Sequence, residues 1–496
     1  MKTTRSFSLF VSEMLCTILF GVAVLLFFGL AYPHHLHYQE QYQLFLFDST
    51  YVWDIVRLPG GIADLLGRFC TQFFLFAWVG ALIIALLLSA VQLLTLRLIS
   101  VASNGAGVRA VFHGLSFVPS FLLWLFLLDE NALLGGVWAV LLTLLALWLF
   151  VKLPKGWVRR IVIIVTIPIL YWMVGPNWNG SHYHRYPTVF PTLLYAAWLT
   201  AVALPLLLSI KRKVKSEKNL SKQSDRGRAA SAVPASASTG RRQQILHFSL
   251  FTFTFIIMMM LVWKNANFKA EKVMQYDFMA CHQQWNRILQ TVNAEKPNNQ
   301  IGVTVQNLAL GMRGMLSERL FDYHQNGLLG LLPDVERDAT SPMPTAEAFY
   351  QLGMIYVAQR TVFEAQESIL DFQKSGRCYK RLAQTNLILG SYEVARKYLT
   401  ALQKTLFYRD WANETLPLLG NEEAIAKHPE YGRLRQFVCS DDYYFSDHVT
   451  SDMLERLFLC NTENRLAFEY LKAYYMLTGD RENYAKLLLH LQKLKQ

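Results

Sequence analysis

Seven apolar runs, each reaching or approaching the roughly 20 residues that cross a bilayer as a helix, fill the first half of the chain at 9–32, 70–96, 111–128, 132–151, 161–175, 188–210 and 245–263. A backbone in hydrocarbon must satisfy its hydrogen bonds within the segment, so these runs predict helices rather than open strands. ILHFSLFTFTFIIMMMLVW (245–263) holds no Asp, Glu, Lys or Arg and is the clearest of them. The fifth run is short, and only DEN (129–131) separates the third from the fourth. Lys2 and Arg5 precede the first run, but it is longer than a secretory h-region and lacks an A-x-A-like cleavage site, so it reads as a retained anchor.

From residue 264 the pattern becomes that of a water-facing helical domain, with apolar positions at helical spacing. AFYQLGMIYVAQRTVFEAQESIL (348–370) and CYKRLAQTNLILGSYEVARKYL (378–399) align at a period of 30, matching Leu352 with Leu382, Gly353 with Ala383 and Ala365 with Ala395. LGMIY and GSYEVA (Gly390, Tyr392, Ala395) resemble the tetratricopeptide helix–turn–helix pattern, and LAFEYLKAYYMLTGDRENYAKLLLHL (466–491) is a weaker third unit. Residues 268–296 and 303–323 predict another helical pair. Such repeats stack into curved surfaces that hold a peptide or a partner.

Charge orients this all-α architecture. Of the residues 53% are hydrophobic and 17% charged, and the formal net charge of +12 lies mostly in 211–243, which carries ten Lys/Arg against two Asp/Glu. That balance excludes a basic nucleic-acid-binding domain. With the N-terminus cytoplasmic, the inside connections hold Lys2, Arg5, Arg97, Arg109, Lys152, Lys155, Arg159, Arg160 and the linker's ten, whereas the outside loops hold Arg57, Arg68 and Arg185. The expected organisation is a six-span bundle over 1–210 with an outer loop at 34–69 and a disordered basic cytoplasmic linker at 211–243. A seventh span at 244–263 and an extracytoplasmic tetratricopeptide-like domain at 264–496 follow. The linker's composition cannot bury enough apolar surface to order itself, and its charge suits anionic lipid headgroups.

RLPGGIADLLGRFCTQFF (57–74), CYKRLAQTNLILGSYEVARKYLTALQKTLFYRDWA (378–412) and NRLAFEYLKAYYML (464–477) carry a resemblance to a family of bacterial multi-pass inner-membrane proteins defined only as a domain of unknown function. The resemblance implies an inner-membrane bundle with a helical repeat domain attached. It implies no activity.

Candidate chemistry gathers in the outer loops. His34, His35 and His37 with Glu40, and His182 with His184, place five imidazoles on one side, where His34, His37, His182 and His184 are weak zinc-ligand candidates without a fixed-spacing motif. The competing reading sets them in the headgroup layer. Asp48 and Asp54 could act as base or metal-orienting acid of a transferase using a lipid-linked sugar, with Arg57 or Arg185 holding a phosphate; the two carboxylates are six residues apart, not in a tight D-x-D. Ser49 is placed to cap a short helix ended by Pro59-Gly60-Gly61, and Asp64, Arg68 and Gln72 share a helical face, with an i,i+4 ion pair read as a water-facing helix end. Glu13 sits near the cytoplasmic end of the first run.

Six cysteines match no disulfide framework, so buried thiols are expected, with Cys439–Cys460 the pairing to consider among Cys281, Cys378, Cys439 and Cys460. No nucleotide, flavin or hydrolase motif is present, and no cofactor is expected. The favoured function is a non-enzymatic scaffold or assembly factor whose residues 264–496 bind a protein or envelope component, with membrane lipids as surroundings and no nucleic acid. The alternative is a membrane glycosyltransferase-like enzyme with a lipid-linked substrate at the outer face. Reporter fusions after Arg228 and after Gln496 are expected to read cytoplasmic and extracytoplasmic, respectively; a cytoplasmic C-terminal reporter reverses the orientation.

Overall fold

A segment of nothing but Leu, Ile, Val, Phe and Ala has no partner for its backbone except itself, and the long apolar runs accordingly close as helices. The computed structural model describes residues 2–41, 43–102, 110–153, 156–175, 192–207, 238–334, 342–369, 373–439 and 450–494, which contain helices and no strand. Two units divide the chain. The first comprises Met1–Glu40 and Asp48–Phe268, the second Gln41–Phe47 and Lys269–Gln496.

Among the described residues of the first unit, three helices are long and apolar enough to cross a membrane: Val11–Ala31, Ala77–Ala102 and Leu134–Lys152. A fourth is reached if Phe251–Asn265 is counted with the helix that follows it. This corrects the expected seven. The third run breaks at Phe117 into Ala110–Ser116 and Val118–Phe126, where Pro119 opens the second piece. The fifth run forms the helix Trp157–Val174, which continues through Pro168 and whose apolar part is Ile164–Val174; of the sixth run, the described residues form the apolar helix Thr192–Leu207. The last run begins earlier than expected, since the helix starts at Ser238 and takes in the end of the basic linker; residues 211–237 of that linker lie outside the described residues.

The first unit's helices meet through small and polar groups, as apolar helices in an apolar solvent require. A Cβ on Gly67 would lie 2.4 Å from the backbone nitrogen of Gly135, so Gly61–Thr71 and Leu134–Lys152 cross at backbone contact. Thr17 donates to Gln92 at 2.9 Å, Gln92 donates to Ser116 at 2.9 Å, and Ser116 donates to the His113 carbonyl at 2.6 Å, all buried. Side chains such as Ile18, Leu30, Leu86 and Leu149 point outward from the long helices.

The second unit is a succession of short amphipathic helices that repeatedly stop in one way. Pro342–Leu352, Gly376–Ile388 and Arg465–Thr478 each end before a glycine in the left-handed region, Gly353 (φ 91°), Gly390 (φ 80°) and Gly479 (φ 73°). One further residue follows each glycine before Ile355–Ser368, Tyr392–Gln403 and Arg481–Leu494 begin. The C-cap chemistry is the usual one for a left-handed residue without a Cβ. It also corrects the 30-residue alignment: Gly353 is a turn, whereas its assigned match, Ala383, lies inside a helix, and the turn that corresponds to it is Gly390. Helix starts use side-chain caps, with Ser375 accepting from the Cys378 nitrogen (3.1 Å) and Asn464 accepting from that of Ala467 (3.1 Å). Asn464 also donates to the Leu352 carbonyl at 2.7 Å, tying the C-terminal hairpin to the end of another helix.

The Gly67–Gly135 crossing generates a direct test. Gly67→Val forces the two helices apart and is expected to lower the yield of folded, detergent-extracted protein several-fold and its thermal midpoint by several degrees, whereas Gly114→Ala, with nothing within 4 Å of an added Cβ, leaves both near wild type. Equal behaviour of the two variants contradicts the crossing.

Candidate functional site

Between the helices Pro33–Glu40 and Ser49–Val56, residues 43–48 run without helical bonding, and the apolar cluster Leu44–Phe47 belongs to the second unit. The Leu44 nitrogen donates to the Lys374 carbonyl at 2.8 Å, and the Phe47 nitrogen donates to the Lys404 carbonyl at 2.6 Å. Lys374 just precedes the start of Gly376–Ile388, and Lys404 caps the end of Tyr392–Gln403, so the segment lies along one end of this helical hairpin. Near that end it supplies a donor to a carbonyl that a helix terminus leaves without an intrahelical partner.

Leu44 is buried with Ala383, Leu399, Leu402 and Ala412, and half-buried Leu46 packs on the same cluster beside Tyr398 and Trp411. Two alanines make room for one leucine side chain, whose burial contributes about 2 kcal/mol; each backbone hydrogen bond contributes about 1 kcal/mol net. Gln43 and Phe45 are also buried, while Phe47 turns outward.

Beneath the segment lies a charged layer. Arg377 binds Asp277 with both guanidinium nitrogens, one at 2.8 Å, and reaches Gln41 Oε1 at 3.4 Å. Burial disfavours the Arg377 charge, but the Asp277 carboxylate outweighs it and the guanidinium is held well above its ordinary range. Arg381 pairs with Glu347 and stacks on Tyr350 at 3.7 Å from the ring centre; Tyr350 in turn donates to Glu430 at 3.0 Å. Gln351 donates to Glu347 at 2.9 Å and accepts from Arg433 at 3.2 Å. Lys380 lies over Trp411, 5.1 Å from the ring centre, and burial pulls its ammonium below the ordinary lysine value. Three helices are thereby fixed by paired charges, and Tyr431–Phe437 by hydrogen bonds to the same layer, rather than by apolar packing alone.

The residues singled out from the sequence are distributed differently. Asp48 precedes Ser49–Val56 and accepts from the Thr50 hydroxyl; it, not Ser49, holds the N-cap position. Asp54 and Arg57 form an exposed ion pair at 3.1 Å. Arg185, His182 and His184 lie outside the described residues. His34 and His37 have ring centres 5.8 Å apart, whereas His35 turns into the first unit, 2.9 Å from the Leu127 carbonyl and stacked on Tyr32. Among the described residues no group of three or more His, Cys, Asp or Glu is placed to hold a metal ion. The Asp64–Arg68 pair forms at 2.8 Å as its spacing predicts, but it is buried, with Tyr51 3.5 Å from Arg68, rather than water-facing. Cys439 and Cys460 are joined as a disulfide with Cα atoms 5.7 Å apart, against the expectation of thiols. Cys281 and Cys378 are thiols, and burial pushes that of Cys378 up to about 11.

Segment 41–47 was not singled out as a site. The signal was present, since four consecutive apolar residues in a loop otherwise rich in Gln, Tyr and Asp need cover from water.

The chain matches the family of unknown function DUF6057 over residues 8–179 and 176–496. No curated protein and no solved structure matches it.

Removing Arg377 strands the Asp277 carboxylate. Arg377→Ala is expected to destabilise the second unit by about 3–5 kcal/mol, as for other half-broken buried pairs, measured by denaturant unfolding of the intact detergent-solubilised protein. Arg377→Lys, which keeps the charge but not the two-nitrogen grip, is expected to fall between that variant and wild type; no loss in either contradicts the role given to the pair.

Proposed function

Because the chain belongs to a family of unknown function, its own geometry carries the reading, and we propose that it is a non-enzymatic membrane scaffold or assembly factor whose second unit binds a protein or envelope component. The observation that carries this is the hairpin face of Gly376–Ile388 and Tyr392–Gln403, which holds an extended segment through backbone hydrogen bonds and a leucine-sized apolar recess. A surface that accepts one extended chain in this way has the chemistry to accept another.

The membrane part of the proposal rests on the long apolar helices and their outward-facing aliphatic side chains, which form a bundle of three or four spans in the bacterial inner membrane. Lys2 and Arg5 ahead of the first long apolar helix support a cytoplasmic N-terminus. The Cys439–Cys460 disulfide supports a periplasmic second unit, because such bonds persist in oxidising compartments. In this reading the helix–glycine–helix hairpins act as an irregular tetratricopeptide-like stack. The transferase alternative gains nothing from the observed pairings of Asp48 and Asp54.

The test is photo-crosslinking in cells with the intact protein. A crosslinker in place of Leu406, exposed near the face, is expected to give one discrete protein adduct, and in place of Val394, at the other end of the hairpin, or of Phe321, exposed elsewhere on the unit, none. Adducts to lipid alone, or the same adduct pattern at all three positions, overturn the proposal.

A further inference from the structure

We infer that segment 41–47 is a built-in stand-in for the partner: the hairpin face recognises an extended protein segment with an aliphatic residue for the Leu44 recess, and that segment binds by displacing the chain's own. The inference rests on the scaffold reading and narrows it to a class of ligand and a mode of control.

Each contact made by the segment states a requirement on its replacement. The bonds to the Lys374 and Lys404 carbonyls use backbone nitrogens three residues apart, so they demand an extended chain but no particular sequence. The recess between Ala383 and Ala412, walled by Leu399 and Leu402, admits one branched aliphatic side chain. Arg377 already has its charge matched by Asp277 and meets Gln41 with a remaining N–H, which calls for a neutral acceptor three residues ahead of the aliphatic one. The ligand pattern is therefore Gln or Asn, two residues of any kind, then Leu or Ile, continuing extended with a second apolar residue two positions on, where Leu46 now packs.

The stand-in is covalently continuous with the first unit at both ends, so it competes at the effective concentration of a tethered ligand, on the order of millimolar for a short connection. It holds the face closed to weak, adventitious apolar peptides and yields to a partner that binds well below that concentration. Control of this kind needs no movement of the helices.

The test uses the full-length protein in detergent and a fluorescent peptide of the sequence QYQLFLF extended by two lysines for solubility. Wild type is expected to bind it weakly and Leu44→Asp, which vacates the recess, at least tenfold more tightly; Ala412→Leu, which fills the recess, is expected to remove that gain. Equal binding by wild type and Leu44→Asp, or no binding by either, overturns the inference. Should Leu44→Asp fail to fold, hydrogen exchange on wild type decides: saturating peptide is expected to speed exchange of the Leu44 and Phe47 amides at least tenfold, and unchanged protection overturns the inference. Two other occupants are separated by the same preparation. A wild-type dimer whose Leu44 protection is lost on dilution shows that a second copy supplies the segment, and equal displacement of the peptide by phosphatidylglycerol shows an acyl-chain site; either result sinks the proposal. If peptide binding fails while the crosslinks at Leu406 persist, the scaffold reading stands and only the stand-in is lost.

Discussion

The two-nitrogen pairing of Arg377 with Asp277 is the interaction on which the second unit's working face depends. It joins Phe268–Cys281 to Gly376–Ile388 and leaves one N–H for Gln41. Charges this far from water are costly, and their worth lies in geometry: a guanidinium satisfied along its fork fixes direction as well as distance. The neighbouring Glu347–Arg381–Tyr350–Glu430 chain extends that fixation to Pro342–Leu352 and to the residues just before Tyr431–Phe437. A face held this way presents its recess pre-formed, which lowers the ordering cost of whatever occupies it.

The first unit solves a different problem with different means. Where the surroundings are as apolar as the side chains, burial of leucine supplies little preference for one helix neighbour over another. Specificity then falls to close backbone approach, as at Gly67 and Gly135, and to polar side chains that find each other, as in Thr17, Gln92 and Ser116. Neither device is visible as an apolar pattern.

That contrast explains what was legible in the sequence. Long charge-free runs specify helices because the backbone has no alternative, and the all-helical character followed. How many are long enough to span did not follow, because a break such as the one at Phe117, beside Pro119, acts on helix continuity at a single position within otherwise apolar composition. The i,i+4 relation of Asp64 and Arg68 predicted their pairing, but burial depends on what packs over them and is not local information. The repeat alignment failed for a related reason. Matching Leu352-Gly353 to Leu382-Ala383 rewards similar letters, whereas the structure equates residues by backbone conformation, turn glycine with turn glycine. The loop segment 41–47 was the largest omission at the candidate site. Its apolar residues were plain to see, but their cover comes from helices more than 300 residues later in the chain, and no local pattern carries that.

The recess around Leu44 has a consequence for how sequences of this kind can drift. Ala383 and Ala412 on one side and Leu44 on the other share a fixed volume, so a methyl group added to the floor must be subtracted from the residue that fills it. Positions 44, 383 and 412 therefore constrain one another as a sum rather than as three separate letters. Substitutions there are expected to arise in compensating pairs.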